Sequence, residues 1–285
     1  YHANGNEHDP LVEYEFEEIK AAIQLDREVT TNVGWLSLFK TPGNRRRMRI
    51  ILALAFFSQW SGNGLVSYYL KRVCDSVGIT DPTTQLLING VLNIFNFFVA
   101  LIAGLLCDKI GRRVLFITST VGMLVFWIIQ TICLSLYEQH GNPMVGRSVI
   151  GMIFCYYAFY DIAFTPLIVS YSVEILPYSI RAKGFTAFNF AVSASLIFNQ
   201  YVNPIALNAL GWKYYLVYVC WIAFEMVFVF IYVVETKNRT LEETAALFDG
   251  DDALEKVTQH AAEVAAEEVK AKASNSVEEI SEAKE

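Results

Sequence analysis

Six apolar stretches, separated by polar or turn-forming linkers, constrain this chain more than any other feature. They run over 50–70, 85–106, 114–136, 148–176, 184–207 and 214–234. A hydrocarbon core about 30 Å thick is crossed by about 20 helical residues at 1.5 Å rise per residue. Each stretch is long enough. Only 18% of the residues are charged, against about 25% in an ordinary soluble domain, and they gather at the two ends and in the linkers. The mean hydropathy is +0.35. One soluble core could not keep this much apolar surface from water, so lipid is the expected solvent. The expected fold is an all-α integral membrane protein with six transmembrane helices. Residues 1–49 form a segment with short amphipathic helices, 50–234 the membrane domain, and 235–285 an acidic tail. Pro166 lies inside the fourth stretch and predicts a kink there.

The placement of Lys and Arg predicts the orientation. Six spans put both ends on one side. That side carries twelve basic residues near the membrane: Lys40, Arg45, Arg46, Arg47, Arg49, Lys109, Arg112, Arg113, Arg181, Lys183, Lys237 and Arg239. The opposite loops carry four, Lys71, Arg72, Arg147 and Lys213. Both ends are therefore expected to be cytoplasmic, and the sequon Asn238-Arg239-Thr240 is expected to stay unglycosylated. Residues 11–38 read as one or two amphipathic helices, and 241 to about 273 as a solvated helix or disordered tail. The net charge of −7 comes from the ends. Neither end has the character of a nucleic-acid-binding arm. The chain does not open on Met, and we expect it to be part of a longer protein.

No catalytic constellation is legible. His2, His8, His140 and His260 all lie in flanking or loop segments, and no Gly-rich phosphate loop is present. The five cysteines form no CxxC pair and are expected to pack in the helix interfaces. No enzyme activity, metal or cofactor is implied.

Several motifs carry mechanism. Gly104-x-x-x-Asp108-Lys109-x-Gly111-Arg112-Arg113 joins the second and third stretches. Asp108 ends one helix, Gly111 permits a tight turn, and the arginines open the next helix. Charges at facing helix ends can pair in one conformation and part in another, so they can latch a bistable bundle. Two further motifs follow the fourth and sixth stretches: Glu174-x-x-Pro177-x-x-x-Arg181-x-Lys183-Gly184 and Glu235-Thr236-Lys237-x-x-Thr240-Leu241-Glu242-Glu243. In the first stretch, Gln59-Trp60-Ser61-Gly62-Asn63-Gly64-x-x-x-Tyr68-Tyr69 places amides and phenols in lipid. That is costly unless they face partners or a watery cavity. Amides both donate and accept, which suits sugar hydroxyls, and aromatic rings can cover the apolar face of a pyranose. Polar contacts between helices are the competing reading. Asn96 shares a helix face with Asn89 and Asn93. Asp161 and Glu225 are acids deep in apolar helices. Asp161 is a functional candidate, and Glu225 reads as a helix-packing partner.

Residues 11–245 resemble the sugar porter family of the major facilitator superfamily. The Gly104–Arg113 string matches the superfamily's signature loop, and the Glu174 and Glu235 motifs resemble the sugar porter branch specifically. The resemblance implies that Asp108, Gly111, Arg112, Arg113, Glu174, Arg181 and Glu235 form cytoplasmic ion-pair networks that close an inner gate. It implies sugar contacts at Gln59, Asn63, Tyr68, Tyr69, Asn96 and Asp161. The chain also departs from the family pattern. Ser58 stands where a Gln is common, Gly64 where an Asn is common, and Val169, Val192 and Ser193 where Trp, Asn and Trp are usual. Its first span resembles the fungal lactose and disaccharide permease-like group more than the hexose carriers.

The resemblance implies a twelve-helix fold of which this chain is the second half, with the substrate site at the interface between halves. The expected function is carbohydrate transport by alternating access, with proton symport possible for the whole protein. The expected partners are a sugar, the lipid bilayer and a missing amino-terminal six-helix half. The plasma membrane is the family's default location. The alternatives are a membrane-embedded sugar sensor and a non-transporting six-helix interaction protein.

Overall fold

In the computed structural model the described residues are 34–76, 78–239, 244 and 247–249, with the side chains at 67–69, 72, 73 and 76 outside the description. Nine helices are described and no strand is found among these residues. They are α1 (Ser37–Lys40), α2 (Pro42–Trp60), α3 (Asn63–Ser76), α4 (Pro82–Ile110), α5 (Arg112–His140), α6 (Pro143–Ala163), α7 (Leu167–Ile175), α8 (Tyr178–Leu210) and α9 (Lys213–Tyr232). The expected amphipathic helices before the first span lie largely outside the described residues, as does most of the tail.

Local sequence sets most boundaries. Pro occupies the first position of α2, α4 and α6, where its missing N–H and fixed φ suit a helix start. Each follows a side-chain cap: Thr41 accepts from Asn44 N at 3.1 Å, Asp81 from Thr84 N at 2.8 Å, and Asn142 from Met144 N at 2.9 Å. Hydrogen bonds from the Thr84 side chain and backbone hold the Asp81 carboxyl below the ordinary carboxylate range. Gly follows the last residue of α4, α5 and α8.

Four segments are long and apolar enough to cross a membrane: Pro82–Ile110, Arg112–His140, Pro143–Ile175 and Lys213–Tyr232. The third is interrupted at Phe164-Thr165-Pro166, where a kink was expected. The other two expected spans fall outside this set. The stretch 184–207 lies inside α8, which carries Asn189, Ser193, Ser195, Asn199 and Asn203. The stretch 50–70 is not one helix. It divides into α2 and α3 at Ser61-Gly62, with Gly62 at φ +100°. α2 itself starts at Pro42, well before the apolar run, and takes Arg45, Arg46, Arg47 and Arg49 into its first turns.

The helices pack mainly as α5 on α6, α9 on α5, α2 on α8 and α4 on α6. The core is aromatic. Trp127 of α5 is fully buried, stacks on Tyr215, meets Tyr156 edge-on at 5.0 Å, and donates Nε1–H to Tyr215 O. Helices in lipid gain little from hydrophobicity and are held by packing and by interhelical hydrogen bonds. The break between α2 and α3 shows both. Three phenols of α6 donate to the carbonyls it frees: Tyr160 to Ser58 O at 2.7 Å, Tyr156 to Ser61 O at 2.7 Å and Tyr157 to Asn63 O at 2.9 Å. The Trp127 ring fills the space beside Gly62, where an added Cβ would lie 2.5 Å from ring carbon.

Gly62→Ala therefore meets two penalties, the positive φ and the ring. It should cost about 2–4 kcal/mol, read as a lowered unfolding midpoint of the purified chain. Gly90→Ala, at a site with nothing within 4 Å, should leave the midpoint near that of the parent. Equal midpoints for the two variants would sink the idea.

Candidate functional site

Two polar clusters emerge from the apolar bundle. The first lies within the membrane region, between α2, α4, α6 and α8. Asp161, near the end of α6, is 4% exposed. Its Oδ1 accepts from Thr165 Oγ1, one helical turn on, at the break before α7. With the Asn96 amide oriented to satisfy its neighbours, Nδ2 donates to Asp161 Oδ2 at 3.2 Å and to Leu92 O at 3.2 Å. The structure thus brings together Asn96 and Asp161, 65 positions apart in sequence, with α4 packed on α6. Asn63 Nδ2 donates to Ser58 O and to Tyr160 Oη, both at 3.0 Å, and Asn63 Oδ1 is buried without a partner among the described residues. Asn63 thus meets α6 at Tyr160, not at Asp161. Gln59 stands at the edge. Its carbonyl accepts from Asn199 Nδ2 at 2.6 Å, and its side-chain nitrogen reaches only Ser58 Oγ at 3.4 Å. The side chains of Tyr68 and Tyr69 lie outside the described residues. Asn89 and Asn93 bond to each other on the exposed face of α4.

This arrangement offers a buried carboxyl with one amide donor and one hydroxyl donor. Such a set can exchange its internal hydrogen bonds for those of a polyhydroxylated molecule at little net loss.

The second cluster lies at the α4–α5 turn. Glu235, just after α9, caps α5. Its carboxylate accepts from Arg112 N at 2.9 Å and Arg113 N at 3.1 Å, and also from Thr236 N at 3.1 Å and Lys237 N at 3.0 Å. Four backbone donors around one carboxylate at a helix N-terminus are favourable for both charge and hydrogen bonding. Gly111 makes this possible. It has φ +104°, and a Cβ there would meet Glu235 Oε2 at 2.7 Å. The Arg112 guanidinium bridges Glu174 Oε1 at 3.1 Å and Asp108 Oδ1 at 2.9 Å. The first pair is half-buried. In the second, Asp108 is 84% exposed, so screening leaves it little energy. Thr236 Oγ1 donates to the other Glu174 oxygen at 2.6 Å. Lys237 Nζ caps the end of α4 at Lys109 O, and Arg113 reaches Phe230 O at 3.0 Å. Asp108, Arg112, Glu174 and Thr236 line a polar cleft of about 260 Å³.

Of the residues expected at this gate, Asp108, Gly111, Arg112, Arg113, Glu174 and Glu235 come together. Arg181 does not join them. It donates to Leu176 O at 3.3 Å and lies over the Tyr178 ring. Several members escaped sequence reasoning. The Tyr156, Tyr157 and Tyr160 set is one, although phenols at i, i+1 and i+4 in an apolar helix are themselves a signal. Asn199 and Thr236 are others. Arg47 is fully buried and pairs bidentately with Asp249, at 2.6 and 3.1 Å, beneath Phe248. Nothing local in the sequence joins residues about two hundred positions apart.

Known proteins share this architecture. The family model described as "Sugar (and other) transporter" matches residues 2–248. An MFS-type transporter of Aspergillus oryzae, oryC, is 31% identical over 86% of this chain and 46% of its own length. Probable polyol transporter 6 of Arabidopsis thaliana is 30% identical over 84% of this chain and 52% of its own. The chain thus spans about half the length of these relatives. Among solved structures, the proton:xylose symporter XylE bound to 6-bromo-6-deoxy-D-glucose superposes with TM-score 0.66 at 25% identity, over 84% of this chain and 49% of that one. Helices long and apolar enough to cross a membrane, joined by a Gly–Asp–Arg turn whose charges are capped from the end of the last helix, and a family match over most of the sequence lead to one statement: this chain belongs to the sugar (and other) transporter family of the major facilitator superfamily.

Proposed function

We propose that this chain is the carboxyl-terminal six-span half of a carbohydrate transporter that works by alternating access. Its spans are α2–α3, α4, α5, α6–α7, α8 and α9. The observation that carries the reading is the pairing of Asn96 with the buried Asp161. Gln59, Asn63, Asn96 and Asp161, with Tyr68 and Tyr69, would contact the sugar. Asp108, Arg112, Glu174 and Glu235 would hold the cytoplasmic side closed, and would part when it opens. Arg181 would act only after leaving Leu176 O. The first span's resemblance to lactose and disaccharide permeases favours an oligosaccharide over a hexose. Proton coupling would then depend on the whole protein, as would the plasma-membrane location and the cytoplasmic placing of both ends.

The missing half is supported by α4. This helix of 29 residues buries only Gln85, Leu92, Ala103 and Cys107, while Val91, Ile94, Phe98, Leu101, Ile102 and Leu105 stay at least 48% exposed. So wide an exposed apolar surface must meet lipid or another protein. One half cannot enclose a sugar, so the isolated 285-residue chain is expected to show no saturable uptake.

The test is made at the native locus. A carboxyl-terminal tag should report a membrane protein of about twice this chain's 32.2 kDa, and deletion of the gene should remove saturable uptake of a sugar or disaccharide. A product near 32.2 kDa, or a deletion with unchanged uptake across a panel of mono- and disaccharides, would sink the proposal.

A further inference from the structure

Among the described residues, Glu225 is the one buried acid that neither polar cluster uses. It sits in the middle of α9, fully buried. Its Oε2 lies 2.8 Å from Ser61 Oγ; its Oε1 faces the indole N–H of Trp221, one turn back on α9, and neither of these two atoms completes a hydrogen bond among the described residues. No cation lies within ion-pair distance of it among those residues. The titratable groups near it are the phenols Tyr156 and Tyr160 of α6 and Tyr218 of its own helix. α2 brings Ser61 and no charge. α5 and α8 bring no titratable group to it among the described residues.

Ser61 is the hinge of the first span. It is the last residue before Gly62, and its carbonyl accepts from Tyr156 Oη at 2.7 Å. Its hydroxyl also contacts Phe57 O closely, one turn back along α2. A serine hydroxyl has one proton to give. Phe57 O can only accept, and so can an ionised carboxylate. With Glu225 ionised, one of the two close contacts would set oxygen against oxygen without a proton. With Glu225 protonated, both are satisfied. The acid then donates to Ser61 Oγ, and Ser61 donates to Phe57 O. An isolated ionised carboxylate in a water-free site is also strongly unfavourable.

We propose that Glu225 is a proton-binding site, and that its proton fastens the break between α2 and α3 to α9. Release breaks the O–H bond of the acid and the hydrogen bond to Ser61, and forms an O–H bond on a solvent water; no other covalent bond changes. While Ser61 faces α9 the carboxyl keeps it. When the α2–α3 break swings away and water reaches the site, the acid can release the proton to solvent and is left as a carboxylate. Protonation state and elbow position are then linked. This linkage involves only atoms of this chain and needs no sugar, so it stands or falls separately from the transport reading.

Infrared spectroscopy of the purified chain in lipid nanodiscs tests it. At pH 8, above the titration range of ordinary carboxylates, the parent should show the C=O stretch of a protonated carboxylic acid. Glu225→Gln should remove one carboxyl's worth of that band, and Asp161→Asn should leave that component in place. Ser61→Ala should move it to higher frequency, because the acid loses its acceptor. Should Glu225→Gln fail to accumulate, Ser61→Ala alone decides. Absence of the band in the parent, loss of the component only in Asp161→Asn, or a band unmoved by Ser61→Ala would each overturn the proposal.

Discussion

Glu235→Ala is expected to lower the stability of the chain by about 3 kcal/mol, the largest loss for any single truncation around the α4–α5 turn. The side chain accepts four backbone N–H groups, two of them the first donors of α5. A hydrogen bond to a charged group contributes about 1.5–3 kcal/mol, and bonds to one shared acceptor do not add. Water can reach part of the vacated site and recover some of the loss. The helix dipole of α5 also loses its counter-charge. Glu235→Gln keeps an acceptor oxygen but not the charge, and should lose about half as much. Chemical unfolding of the purified chain in detergent, followed by Trp fluorescence, measures this. A loss below about 0.5 kcal/mol for the Ala variant would mean that the cap contributes no more than an ordinary surface residue. Asp108→Ala, by contrast, removes an exposed partner and should cost less than about 1 kcal/mol.

On the proposed carbohydrate-transport function, Asp161→Ala is expected to weaken apparent sugar affinity by about 10–100-fold. That follows from losing one hydrogen bond to a charged acceptor, about 1.5–3 kcal/mol. The measurement is the concentration dependence of uptake, with surface expression matched. Asp161 also holds Thr165 at the interruption before α7, so a structural explanation must be separated. Thr165→Val removes that bond and leaves the carboxyl. It should change expression or unfolding before it changes affinity. An unaltered KM for Asp161→Ala, or an equal KM shift for Thr165→Val, would remove Asp161 from the sugar site.

The α4–α5 turn shows what is legible in a sequence. Asp108, Gly111 and Arg112 lie within five residues of each other, so chain connectivity alone places a charge pair and a positive-φ glycine there. Capping at Pro82 and Pro143 is equally local, yet the apolar stretches begin only at 85 and 148, because hydropathy does not register the polar first turns of these helices. The first span was not legible. Its apolar run reads as one helix, yet it breaks at Ser61-Gly62. A break in lipid needs new partners for the freed carbonyls, and those partners are Tyr156, Tyr157 and Tyr160, about a hundred positions away. Without them the continuous helix would be the better choice.

The sequence by itself determined the solvent, the helical class, the ends of several helices and the residue types that could hold charge at the α4–α5 turn. Each of these depends on hydropathy over about twenty residues or on contacts within one helical turn. Tertiary structure decided which polar groups meet. It paired Asn96 with Asp161, gave Glu235 to the start of α5, sent Arg181 to a backbone carbonyl and Arg47 to Asp249, and set Glu225 against Ser61. The physical reason is that a polar atom in an apolar bundle must find a partner across helices. Which partner it finds depends on helix rotation and crossing, which the pattern of apolar residues along any one helix does not contain.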